Sequence, residues 1–183
     1  MPRLYLVRHG KAEAGFGEST DPGLDEKGQR QAEVASARLA PLGPLPILTS
    51  PLKRTRETAV PLSQLWKQKP MVEEAVAEIP SPSMGLAERI EWLRNFMRGS
   101  WRDADAGLAA WRENLIGTLA SIDTDTVIFS HFVAINVAAG AALGDERVVV
   151  FSPDNCSVTV LDVTDGALAL VEKGHEAELT KVN

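Results

Sequence analysis

The sequence predicts an α/β fold: a three-layer α/β/α sandwich on a largely parallel mixed sheet, with an antiparallel C-terminal hairpin. Three observations carry this prediction. Short β-rich runs alternate with longer segments of helical spacing over most of the chain, the pattern of successive βαβ units. The dipeptide Asp165-Gly166 stands between the β-rich runs 158–163 and 168–171, and Asp-Gly in that setting signals a tight hairpin. A length of 183 residues with 44% hydrophobic content is enough for one well-filled core, so residues 1–183 read as a single domain.

Taken in order, residues 3–7 form a short β-rich run, and a glycine-containing loop follows through Gly10, Gly15, Gly17 and Gly23. A helix comes next. Asp25 can cap it, Ala32, Ala35, Leu39 and Leu42 recur at helical spacing, and Pro41, Gly43 and Pro44 break the pattern. Residues 47–49 read as the second strand. Ser50 is then suited as an N-cap with Pro51 at the first helical position, opening a helix that runs to about Trp66 and bends near Pro61. Residues 71–77 are a weaker third strand, and Ser81-Pro82-Ser83 marks a break. A helical insertion at about 83–121 divides into two helices around Gly99 and Ser100. Residues 126–129 are a strand, 133–143 an alanine-rich buried helix and 148–151 another strand, after which the hairpin closes the chain. No internal repeat or low-complexity tract interrupts this order.

Charge narrows the function classes. A net charge of −6 and a pI near 5.1 make nucleic acid and anionic membranes unsuitable partners, because most of the surface would repel them. The longest apolar run, 133–143, is far shorter than the roughly 20 residues a bilayer crossing needs. The N-terminal residues lack an apolar signal region, and the single Cys156 cannot form an internal disulfide, so a cytoplasmic location is expected.

Three distant segments each place a cation or a histidine at the end of a strand: Arg8-His9-Gly10, Lys53-Arg54 and Ser130-His131. Open α/β sheets bind ligands beyond the carboxyl ends of their strands, so these segments can meet in one crevice. Two arginines and two histidines there suit a phosphoryl group. Cations at a helix N-terminus oppose the macrodipole by a few tenths of a kcal/mol up to ~1 each. Lys53 and Arg56 are read as pointing to solvent, and Arg54 as functional, because a bound anion would make its field favourable. A lone histidine at a strand end is more often a core imidazole. Arg8 beside His9, and a glycine after it that lets backbone approach a ligand, shift the reading toward function.

These residues resemble a known family. Leu6-Val7-Arg8-His9-Gly10, the stretch Ser50-Pro51-Leu52-Lys53-Arg54 followed by Thr58-Ala59, and Ser130-His131 closely resemble the histidine phosphatase superfamily, also called phosphoglycerate-mutase-like. Asp21-Pro22-Gly23-Leu24 with Gly28, Gln31 and Ala32 resembles the segment these proteins carry after the first motif. The likeness covers most of the chain in order, and four pieces at these spacings are far more specific than Arg-His-Gly alone.

The resemblance implies a metal-independent phosphatase, a histidine acid phosphatase-like phosphohydrolase that cleaves a phosphate monoester or a phosphohistidine through a phosphohistidine intermediate. It implies His9 as nucleophile, and Arg8, Arg54 and His131 as the clamp that binds the phosphoryl oxygens. Glu78 follows the third strand where many members place the general acid. Glu73 and Glu74 are close rivals, and the sequence after Glu78 lacks the usual Gly-x-Trp-x-Gly tail. No cofactor and no metal are expected. The expected partner is a small phosphorylated substrate or a phosphohistidine protein. Lys11-Ala12 and the compact length lean toward the small phosphohistidine-phosphatase type, whereas Glu78 leans toward monoesters.

The alternatives are a phosphoglycerate-mutase-type phosphotransferase and a non-catalytic phosphate-binding module. A metallohydrolase is weaker, since the chain has three histidines and no His-Glu-x-x-His motif. His175 reads as a surface residue, Cys156 as a small packing residue, and Trp92, Trp101 and Trp111 as packing in an insertion that can wall the pocket. Lys11 reads as either a solvated loop lysine or a rim charge.

Overall fold

The computed structural model describes residues 1–13 and 21–178; Gly15 and Gly17 of the predicted loop lie outside them. The elements follow as β1 (Arg3–Arg8), α1 (Glu26–Leu39), β2 (Ile47–Thr49), α2 (Lys53–Trp66), β3 (Met71–Val72), α3 (Leu86–Met97), α4 (Ala106–Ala120), β4 (Thr126–Ser130), α5 (Phe132–Leu143), β5 (Val158–Thr164) and β6 (Ala167–Glu172). They build a six-stranded sheet in the order β3-β2-β4-β1-β5-β6. The first four strands run parallel to one another, while β5 is antiparallel to β1 and β6 to β5.

The alternation of side chains along each strand divides the core in two. Val7, Ile47, Val127 and Phe129 pack with Leu39 of α1 and Ala59, Leu62 and Trp66 of α2. Leu4, Leu6, Ile128 and Leu161 belong to the other core, with Leu115 and Leu119 of α4 and the alanine-rich α5. The α/β fold, the mixed sheet and the C-terminal hairpin match the prediction. The hairpin turns on Asp165 (φ 51°) and Gly166 (φ 74°), two successive left-handed residues as a type I′ turn requires.

Three local expectations are corrected. Ser50 does not cap α2: the helix starts at Lys53 with no side-chain cap from Leu52, the residue before it. Asp21 instead reaches across from the loop between β1 and α1 to accept from the Lys53 amide at 2.7 Å, which also sets a carboxylate against the positive helix end. The third strand is two residues long, and residues 74–76 form a 3-10 turn. It lies at the sheet edge, where β2 offers only Leu48 and Thr49 for pairing. Residues 148–151 form no strand. Their β-branched run adopts an irregular path because the amides of Val150 and Phe151 donate to the buried Asn136 Oδ1, at 2.8 and 3.1 Å.

The insertion carries α3 and α4 with a 3-10 turn at Trp101–Asp103 between them. It is held by an aromatic chain. Trp92 stacks on Phe96, Phe96 meets Trp101 edge-on, and Trp101 contacts Trp111, with ring centroids 5.4, 5.3 and 6.0 Å apart. The tryptophans are packing residues, as expected.

Candidate active site

β1, β2 and β4 point their carboxyl ends at one crevice, and the chain leaves each strand through a residue of the expected set. His9 follows β1. Its Nδ1 donates to the carbonyl of Gly10 at 2.7 Å, so the proton is on Nδ1 and the lone pair on Nε2. That lone pair accepts from Arg54 Nε at 3.2 Å. Arg54, one residue into α2, is buried, whereas Lys53 and Arg56 are exposed, as the sequence predicted. Arg8 donates from Nη1 to the carbonyl of Pro153 at 2.8 Å and lies 5.1 Å above the ring of Phe132.

His131 follows β4 and is wholly buried, its ring centroid 5.3 Å from that of His9. Its Nε2 shares a 2.7 Å hydrogen bond with Ser50 Oγ, and its buried Nδ1 has no partner. This explains why Ser50 is not a helix cap: its hydroxyl is turned into the crevice. The Leu52 amide donates to the same Oγ at 3.2 Å.

Glu78 joins them, while Glu73 bends back onto the Ala75 amide and Glu74 opens the 3-10 turn. The Glu78 carboxyl accepts from the amides of Ile79 (3.0 Å), Val133 and Ala134 (both 3.3 Å), the last two in the first turn of α5. Burial nevertheless pushes its pKa above the ordinary carboxylate value, outweighing those amides and Arg54. The histidines move the other way. Burial, then the Arg54 charge, lowers His9 from 6.5 to about 3, with Arg8 a smaller cause acting against the Gly10 bond. His131 falls well below 6.5, first by burial and then through His9, Arg54 and Arg8. Desolvation also pulls both guanidinium groups down, and Glu78 is the leading opposing influence on each. The site thus holds two imidazoles whose pKa values burial lowers and a carboxyl whose pKa burial raises.

Backbone contacts fix the position of His9. The Gly10 amide donates to Thr58 Oγ1 at 3.0 Å, and that hydroxyl donates to the Arg54 carbonyl at 2.6 Å, so the loop after β1 is tied to the helix carrying Arg54. A Cβ on Gly10 would lie 2.6 Å from the Gly28 carbonyl oxygen, and one on Gly28 would strike the Lys11 backbone. The two glycines therefore let α1 approach the loop backbone to backbone. Asn155 was missed by sequence reasoning: its side-chain amide donates to the carbonyl of His9 at 3.0 Å, and the Cys156 amide donates to that of Arg8 at 2.9 Å. Its one signal is a turn-type Asp154-Asn155 pair, which does not say that the turn folds back 146 residues. Cys156 itself is partly buried, and burial pushes its thiol up to about 12.

Arg8, His9, Arg54 and Glu78 line one end of a cavity of about 790 Å³, and α3 of the insertion forms a wall. Lys11 lines the cavity from an exposed position, paired with Asp25 at 3.0 Å. His175 is exposed. Among the described residues no three His, Cys, Asp or Glu side chains are grouped to hold a metal ion, and no helix is long and apolar enough to cross a membrane.

The family model of the histidine phosphatase superfamily (branch 1) matches residues 4–175. The chain belongs to this superfamily. It is 26% identical over 182 residues to a 2,3-bisphosphoglycerate-dependent phosphoglycerate mutase of Thermoplasma acidophilum, covering 92% of this chain and 90% of that protein. It is 37% identical over 93 residues to a probable phosphoglycerate mutase of Cronobacter sakazakii, a match that spans 49% of this chain and only 42% of that relative. Among solved structures, the fold matches phosphoserine phosphatase from Entamoeba histolytica with a TM-score of 0.77 at 22% identity, covering 96% of this chain and 98% of that one. It matches a mycobacterial glucosyl-3-phosphoglycerate phosphatase with a TM-score of 0.76 at 21% identity, over the same shares.

Proposed function

We propose that the protein is a phosphatase that hydrolyses a small phosphate monoester through a phosphohistidine on His9. The observation that carries this reading is the pairing in one crevice of a neutral imidazole, its tautomer set by the Gly10 carbonyl, with a buried carboxyl whose pKa burial raises. The His9 Nε2 lone pair attacks phosphorus in line with the ester oxygen, the P–O bond breaks, and Glu78 gives its proton to the departing alkoxide. Water then attacks the phosphohistidine, Glu78 takes up a proton, and phosphate leaves with His9 restored. Arg8, Arg54 and His131 hold the three equatorial oxygens, where negative charge is spread in the transition state.

Ser50 fits this scheme as a positioning residue. Ser50 Oγ lies 2.9 Å from Thr55 Oγ1 and 2.7 Å from His131 Nε2, and with Thr55 donating to it the single Ser50 proton goes to His131 Nε2. His131 then carries its own proton on Nδ1, the atom without a protein partner, as a donor to phosphate must. With two guanidinium groups supplying the charge, the reaction should survive exhaustive chelation.

Brief reaction with a labelled phosphate ester, quenched in base, should give acid-labile, alkali-stable label on a peptide containing His9, and His9→Ala should abolish both label and turnover while keeping the fold. Label on a serine or cysteine refutes the mechanism. The likeness to the Thermoplasma mutase over most of the chain favours one second reading, in which the phosphohistidine returns its phosphoryl group to a bound acceptor. Isomerised ester in place of inorganic phosphate among the products would decide for it.

A further inference from the structure

The helical spacing of α3 places Arg89, Leu93 and Met97 four residues apart, so one stripe of the helix faces the cavity, and all three are half-buried there. Trp92 and Phe96, on the neighbouring stripe, join the aromatic chain to Trp101, while Leu93 and Met97 pack against the same core and also line the cavity. Phe132 lines the cavity from the start of α5, and Ile79 and Pro80 line it next to Glu78. The described polar groups are unevenly placed. Arg8, His9, Arg54 and Glu78 hold the phosphoryl end; elsewhere the polar lining is Ser81, Arg89 on the stripe of Leu93 and Met97, and the exposed Lys11 and Glu13, with Lys11 paired with Asp25. Asn155 has its amide on the His9 carbonyl. A polyhydroxylated substrate body lying along Leu93, Met97 and Phe132 would lose water without gaining partners, at a rate penalty that binding elsewhere must offset.

Resting on the phosphatase reading for the phosphoryl end, we propose that the substrates are phosphate monoesters with an apolar alcohol half, an alkyl chain or an aromatic ring laid against Leu93, Met97 and Phe132. At about 790 Å³ the cavity is far larger than a phosphate needs and falls within the size of sites that enclose small organic ligands. Arg8 already covers one face of the Phe132 ring, so the wall on that side is stiff, and Met97 can adapt to different body shapes.

Alkylphosphonates keep the charged head but have a C–P bond that the proposed chemistry does not cleave, so they report on the wall independently of turnover. In calorimetric titrations of the full chain from methyl- to hexylphosphonate, each added methylene should tighten binding about two- to fourfold. The double variant Leu93→Gln, Met97→Gln should flatten that slope, with its thermal unfolding measured alongside to show that it folds. Equal affinity along the series overturns the proposal, as does tighter binding of 3-phosphonopropionate than of propylphosphonate, which would make Arg89 the reader of an anionic body. The same alkyl groups as phosphate esters separate the two readings. A binding slope with no hydrolysis of any ester keeps the apolar wall and removes the phosphatase. Hydrolysis with no slope does the reverse.

Discussion

Lowering the pH should destabilise this fold through His9. His9 has a pKa of about 3 in the fold against 6.5 in the open chain, so protonating it inside the crevice is harder than outside by about 5 kcal/mol. The sign follows from the direction. The unfolded chain takes up the proton first, so the stabilising contribution is complete above pH 6.5 and declines as the pH falls toward 3. His131, lowered for the same leading reason, acts in the same direction. Glu78 opposes both: its raised pKa lets the fold bind a proton before the open chain does, and this strengthens the fold as the pH drops. The net curve therefore mixes terms of opposite sign, and comparison with His9→Gln isolates one. Between pH 7.5 and 4.5 the wild type should lose about 3 kcal/mol more than the variant, at about 1.4 kcal/mol per pH unit below 6.5. Urea unfolding followed by tryptophan fluorescence reads this as a midpoint, and with a slope near 2 kcal/mol/M the extra loss is about 1.5 M. Parallel pH curves for the two proteins would show that His9 is not held neutral by burial, and the account of its nucleophilicity would fail.

Glu78→Gln should slow hydrolysis of an alkyl phosphate by a factor of about 100 or more in kcat/KM while affecting an aryl ester far less, since a phenolate needs no proton to leave; equal losses would make Glu78 a binding residue. In the wild type, kcat/KM on the alkyl ester should fall as the pH rises through the raised Glu78 pKa, and the Gln variant should lose that limb. Arg54→Ala should lower kcat/KM by on the order of 3 kcal/mol, with Arg56→Ala near wild type because its side chain is exposed. Ser50→Ala should weaken inorganic phosphate binding about tenfold, with Ser50→Thr restoring most of it, since the hydroxyl fixes the His131 tautomer; a loss that threonine does not restore would mark Ser50 as a packing residue only.

What could be read from the sequence was governed by range. β1, β2, β4 and the hairpin are local patterns of apolar and turn residues, and Asp25 caps α1 within its own segment, accepting from the Gly28 amide. Two of the three misreadings have one physical source, competition from distant groups. Ser50 has the right chemistry for a cap, but His131, 81 positions later, takes its hydroxyl. Residues 148–151 have strand composition, but Asn136 on α5 takes two of their amides. His9, Arg8, Arg54 and His131 were legible because each sits at the end of a recognisable strand or start of a helix. Asn155 was not, because it touches the carbonyl of His9 only after the chain has laid down the four parallel strands and returned to β1.

The contact between Gly10 and Gly28 closes a route that most packed pairs leave open. In a core, a neighbour that shrinks can make room for one that grows, so paired substitutions restore fit. Here both partners are already the smallest residue, and the obstacles are main-chain atoms of Gly28 and Lys11 that no substitution removes. Alanine at either position should have no second-site suppressor within the pair. Relief would have to come from moving α1 as a body, which would drag the turn after β1 and misplace His9. The placement of the His9 imidazole is in this way referenced to the start of a helix, independent of any side chain between them.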